Sequence, residues 1–88
     1  MNWAYRFDER ALKELKKLGH QAKRDIIDYL DKRVAGNADP RRFGKELKAD
    51  LAGLWRYRVG DYRILCQIKD RELLVLVVAV GHRKDVYD

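Results

Sequence analysis

Apolar residues follow two rhythms along this chain, and the switch between them divides it. Trp3, Tyr5 and Phe7 fall on one side by alternation, a period of two that predicts a half-buried strand over 2–7. The spacing then lengthens. Ala11, Leu12, Leu15 and Leu18 recur at helical intervals behind Asp8, a suitable N-cap, and Gly19 ends the run. Ile26, Ile27, Leu30 and Val34 repeat the helical spacing over about 21–34. Lys23, Arg24, Asp25, Asp28, Asp31 and Lys32 fall mostly on its wet faces, and Gly36-Asn37 closes it. Two helices so close together predict a hairpin packed on a sheet.

Asp39-Pro40 opens a loop through Arg41, Arg42, Phe43 and Gly44, leading to a short turn over 45–51 that is compatible with helix. Residues 54–59, 62–69 and 73–80 are rich in aromatic and β-branched side chains and predict three strands. The short connections Gly60-Asp61 and Asp70-Arg71-Glu72 argue for an antiparallel meander. The last strand is apolar on both sides, which predicts a central position. The expected fold is α+β, in the order β-α-α-β-β-β, with the helices on one sheet face. At 88 residues, one domain over 1–88 is expected, burying about 60 to 65% of its unfolded surface.

Twenty Lys and Arg against 14 Asp and Glu give +6 at pH 7, which favours an anionic partner. The excess is concentrated: residues 41–63 carry seven basic and three acidic groups, against nine and seven in 1–40 and four and four in 64–88. Arg41, Arg42, Lys45 and Lys48 in that segment are candidate RNA-binding residues. Cys66 is the only cysteine, so no internal disulfide is possible, and no CxxC or His/Cys cluster has metal-ligand spacing. Neither metal nor cofactor is expected. The start MNWAYRFDER lacks an apolar signal region, and the run from Leu73 to Val80 is far shorter than the roughly 20 residues of a membrane span. A cytoplasmic protein without membrane contact is expected, and Cys66 should be core.

A two-residue Gly60-Asp61 loop pairs Val59 with Tyr62, Arg58 with Arg63, Tyr57 with Ile64, Arg56 with Leu65 and Trp55 with Cys66. Alternation then gathers Trp55, Tyr57, Val59, Tyr62, Ile64 and Cys66 on a core face and Arg56, Arg58 and Arg63 on an open one. Like charges across a ladder cost up to about 1 kcal/mol, so folding alone gives no reason for Arg58 opposite Arg63. A phosphodiester would remove the penalty, and guanidinium forks bind oxyanions bidentately. The plain alternative is a solvated face with long side chains lying over apolar surface. Downstream, Gly81 lets the backbone turn from the last strand. Arg83 can then join the arginine face, and Tyr87 offers a ring for an unstacked base or simply packs on the sheet edge. His82 is either a surface group or a proton carrier.

The run Leu54-Trp55-Arg56-Tyr57-Arg58-Val59-Gly60-Asp61-Tyr62-Arg63, with Val80-Gly81-His82-Arg83 and Val86-Tyr87, resembles the RelE branch of the RelE/ParE toxin superfamily. Asp8-Glu9-Arg10-Ala11 and Pro40-Arg41-Arg42-Phe43-Gly44-Lys45 extend the resemblance over nearly the whole chain. It implies a type II toxin that cleaves mRNA in the ribosomal A site by 2′-hydroxyl attack on the adjacent phosphate, silenced by a RelB-type antitoxin. Arg56 and Arg58 fall where studied members carry lysines, one a suspected base. Arg63 falls on the phosphorane-stabilising position, Arg83 on the leaving-group acid and Tyr87 on the base-stacking ring. Arginine stays protonated, with a pKa above about 12, so Arg56 and Arg58 make poor general bases. Either the arginines act by electrostatics while the ribosome aligns the 2′-hydroxyl, or His82 moves the protons. Leu54 and Leu65, apolar beside the arginines, suggest an interaction patch. Two other readings are a ParE-type toxin that poisons DNA gyrase without cleaving RNA, and a small RNA-binding regulator without chemistry.

Overall fold

The computed structural model describes residues 2–36 and 38–84. Strand β1 (Ala4–Phe7) passes directly into helix α1 (Glu9–Lys16) because Asp8 caps the turn, its side chain accepting the Ala11 N–H at 2.8 Å. Such a cap satisfies one of the unpaired first-turn amides and is worth about 1 kcal/mol. Ala11 and Leu15 form the buried stripe of α1, whereas Leu12, expected beside them, is exposed. Gly19 is the extended N-cap of helix α2 (His20–Tyr29). The expected helix over 21–34 is therefore α-helical only to Tyr29. It continues as a π turn, Leu30–Val34, closed by the Ala35 N–H on the Leu30 carbonyl at 2.9 Å. Ile26, Leu30 and Val34 all remain buried. Gly36, at φ +107°, then turns the chain, and its backbone pairs with Trp3.

The segment over 45–51 forms a two-residue strand β2 (Lys45–Glu46) and a 3-10 turn, Ala49–Leu51, instead of one helical turn. Strands β3 (Trp55–Val59), β4 (Tyr62–Lys69) and β5 (Leu74–His82) follow. The meander thus has four antiparallel strands, and β1 lies parallel to β5, giving the sheet order β1-β5-β4-β3-β2. The two-sided apolar strand is interior, as its composition predicts, and it runs through Gly81 to His82 rather than stopping at Val80.

A register shift shapes the far half of β5. Leu65 pairs with Ala79 but the next residue, Cys66, pairs with Val77, leaving Val78 without a partner on β4. This bulge reverses the alternation. Val75, Val77 and Val80 all reach the main core, with Tyr57, Ile64, Cys66 and the helices, while Ala79 joins Leu47 and Leu65 in a second cluster on the other face. Beyond Val77 the edge of β5 has lost β1, and Glu14 of α1 covers it by accepting the Val80 N–H at 2.9 Å. Among the described residues no helix is long and apolar enough to cross a membrane.

Cys66 is fully buried in the main core, and burial pushes its thiol up to about 12. The native protein is expected to show no reaction with a thiol-specific chromogenic reagent at pH 8, and one equivalent after denaturation. Rapid native labelling would show that this core opens.

Candidate functional site

The hairpin of β3 and β4 is built on a two-residue turn in which Gly60 takes φ +59°. Val59 pairs with Tyr62, Arg58 with Arg63, Tyr57 with Ile64, Arg56 with Leu65 and Trp55 with Cys66. Arg56, Arg58 and Arg63 therefore share one sheet face, with Gly81 of β5 beside Arg63. That face is less open than expected. Arg58 is exposed, but Arg56 and Arg63 are only 8% and 3% exposed. The segment after β2 folds back over this side, with the Leu47 N–H bonded to the Leu54 carbonyl at 2.9 Å, and it seals Leu65 and Ala79 with Leu47 and Leu51. Leu65 and Leu54, expected as an exposed apolar patch, are thus parts of an internal cluster: Leu65 is buried and Leu54 half-buried.

Arg63 turns toward its own hairpin loop, where Nη1 donates to the Gly60 carbonyl at 3.3 Å and the Tyr62 carbonyl at 3.2 Å. Arg83 meets the same loop. Its N–H donates to the Asp61 carbonyl at 2.7 Å, and its Nε lies 3.9 Å from the Asp61 carboxylate. His82 is not brought to the arginines. It pairs across the ladder with Tyr62, its ring meets the Tyr62 ring edge-on at 5.7 Å, and its Nδ1 accepts the Lys84 N–H at 3.2 Å. Tyr62 packs against the helix-side core, so the bulge at Val78 has sent His82 to the face opposite the arginine row. Tyr87 lies outside the described residues.

The basic loop divides by role. Arg41 donates from both terminal nitrogens to Asp70, at 3.0 and 2.7 Å, lies 3.6 Å from Asp39, and sits over the Trp55 ring at 5.6 Å. Its guanidinium holds the Asp70 carboxyl below the ordinary carboxylate range, chiefly through those hydrogen bonds. Arg42 next to it is exposed, and among the described residues its guanidinium meets the Phe43 ring, at 5.5 Å. Lys45 is exposed on β2 across from Arg56, and Lys48 is exposed on the rim of a shallow cavity of about 270 Å³ with Ala49, Asp50 and Leu51.

Residues 5–87 match the family model described as the ParE toxin of type II toxin–antitoxin systems, parDE. The chain belongs to this family of type II toxins. The toxin is 32% identical to Toxin RelG of Mycobacterium tuberculosis over 87 residues, which are 99% of this chain and 98% of that protein. It is 33% identical to the mRNA interferase toxin RelE of Escherichia coli over 84 residues, 89% of this chain and 80% of that one. Its fold matches the toxin–antitoxin complex RelBE2 of M. tuberculosis with a TM-score of 0.85 at 30% identity, over 97% and 95% of the two chains. The isolated E. coli RelE toxin matches with a TM-score of 0.73 at 28% identity, over 91% and 83%. These relatives share the α+β layout of helices on a mixed sheet, and the superfamily implied by the arginine hairpin is the one the toxin belongs to.

The sequence pattern singled out neither Glu14, which joins α1 to the free edge of β5, nor Arg33 and Phe43, which meet on the surface with the Arg33 guanidinium 4.9 Å from the ring. Phe43 stood in a basic loop with no apolar rhythm to mark it. The toxin's acid response follows from Arg41. Because Asp70 has a lowered pKa, the stability it contributes is complete above the ordinary carboxylate range and is lost as the pH falls through the lowered value. Arg41→Ala is expected to unfold at a lower temperature than the parent at pH 7, with the gap narrowing below about pH 4. Arg42→Ala should match the parent at both. Thermal unfolding followed by circular dichroism checks the pair.

Proposed function

We propose that this toxin is a ribosome-dependent endoribonuclease that cleaves mRNA in the A site and is silenced by a RelB-type antitoxin. The observation that carries the reading is the direct pairing of Arg58 with Arg63, flanked by Arg56 on the same strand face and by Arg83 at the hairpin turn. Guanidinium groups held on one face of a rigid ladder suit a phosphodiester, because their forks bind oxyanions bidentately. The names of the relatives support the class of reaction, since the E. coli protein is an mRNA interferase. The solved complexes of relatives with their antitoxins support the partner.

In the proposed reaction the mRNA 2′-oxygen attacks the adjacent phosphorus. The bond from phosphorus to the 5′-oxygen breaks, leaving a 2′,3′-cyclic phosphate and a 5′-hydroxyl. The 2′-hydroxyl loses a proton and the departing 5′-oxygen gains one. Arg56, Arg58 and Arg63 would neutralise charge on the equatorial oxygens, and Arg83 would sit by the leaving oxygen, with Tyr87 as a stacking surface for the base. Arg41 is committed to Asp70 and Asp39, so Arg42, Lys45 and Lys48 are the loop cations left for RNA phosphates. His82 lies across the sheet from the arginine row, so proton movement is not assigned to it. Alignment of attacker and phosphate supplies roughly 7 to 11 kcal/mol and one preorganised donor about 3 to 4. A site with charge but no tuned base therefore needs its substrate posed, which is the physical reason for ribosome dependence.

Arg63→Ala is expected to lower cleavage on programmed ribosomes by roughly 10² to 10³, read by toeprinting with purified toxin. Undiminished cleavage would remove the arginine site, and gyrase poisoning in place of cleavage by the parent toxin would favour the ParE-type activity. For His82→Gln, cleavage and its pH profile should stay as in the parent. A displaced or flattened profile would return proton transfer to the histidine.

A further inference from the structure

Arg33, Arg42 and Phe43 form a surface that neither packing nor the arginine row accounts for. Phe43 is 41% exposed, one of two large apolar residues left so among those described. Two guanidiniums lie at its ring, Arg33 at 4.9 Å and Arg42 at 5.5 Å, and Arg33 also reaches the Tyr29 ring at 5.6 Å. Among the described residues neither arginine meets a carboxylate, whereas Arg41, between Pro40 and Arg42 in the same turn, meets two. The cluster is held in place from below. Tyr29 donates to the Phe43 carbonyl at 3.4 Å, and the buried Tyr57 hydroxyl donates to the Pro40 carbonyl at 2.5 Å. It is therefore a fixed platform of two exposed cations around one ring, on the π turn that follows α2 and the turn packed against it.

We propose that Arg33, Arg42 and Phe43 are a second RNA contact, which takes a splayed base and the flanking phosphates of a folded RNA while the arginine row holds the strand to be cut. Uncompensated positive charge selects a phosphate-rich partner, and guanidinium planes and aromatic rings are stacking surfaces for unpaired bases. Position makes the partner a folded RNA rather than the substrate strand. Tyr57, to which the turn is bonded, packs in the helix-side core, and the arginine row occupies the opposite face. Folded ribosomal RNA presents several elements at once, so engagement of this platform would add to the selectivity for ribosomes. The inference rests on the ribosome-dependent reading above.

The test is equilibrium binding of the catalytically silenced Arg63→Ala toxin, with and without Arg33→Gln/Phe43→Leu, to vacant ribosomes and to a short single-stranded RNA over a salt series. The double change is expected to weaken ribosome binding by roughly tenfold. It should also flatten the dependence of log affinity on log salt by about 1, leaving short-RNA binding and thermal unfolding unchanged. Equal ribosome affinity in both proteins, or equal losses on both RNAs, overturns the platform. Loss of antitoxin binding alone would reassign it to a protein partner and overturn it as well. The ribosome-dependent reading fails separately, if the parent toxin neither binds nor cleaves on ribosomes.

Discussion

The turn between β3 and β4 has only two residues, and it can be that short because Gly60 takes a positive φ without a Cβ to clash. A loop of this length leaves the strands no freedom to slip, and a slip of one residue would send every side chain to the other face. The ladder from Val59–Tyr62 to Trp55–Cys66 is therefore fixed. With it are fixed the burial of Tyr57, Ile64 and Cys66 and the meeting of Arg58 with Arg63. Core and candidate site are two faces of one constraint. The main core holds the hairpin rigid, and rigidity keeps the two arginines opposite one another on the ladder.

The bulge in β5 is the second device. Along its first half the odd-numbered valines, Val75 and Val77, face the helices, and after Val78 the even-numbered Val80 does. Gly81 consequently lies beside Arg63, and His82 turns to Tyr62. Without the extra residue the order would be reversed, putting His82 toward the arginines and Arg83 toward the helices. The strand can be apolar on both sides because both faces are covered, one by the helices and one by the segment that carries Leu47 and Leu51.

Within this frame the toxin's cations separate into those tied into the fold and those left exposed. Arg41 is tied to Asp70 and braces the loop against the end of β4. Arg58, Arg42 and Arg33 are exposed, and Arg83 shares the hairpin turn with Asp61 at a separation of 3.9 Å, long for a strong ion pair. Exposed pairs of that kind contribute little to stability, so little holds Arg83 to Asp61. A net charge of +6 thus divides into local tasks set by whether a carboxylate is in reach.

The sequence by itself determined what depends on neighbours in the chain. The strand at Trp3, Tyr5 and Phe7, the cap at Asp8, the hairpin register and the single arginine face all follow from period, capping chemistry and loop length, which act over a few residues. The fold class was legible on the same grounds, and the toxin superfamily through the resemblance carried by the arginine hairpin and the run after β5. Tertiary structure alone decided the π turn at Leu30–Val34, the strand at Lys45–Glu46, the burial of Leu65 and the bulge at Val78. Each of these depends on a partner distant in sequence: the core beneath α2, the edge of β3, the folded-back loop and the pairing of β4 with β5. A local pattern records which side chains alternate, but only the packed sheet sets where the alternation breaks, and that break sorted Arg83 from His82.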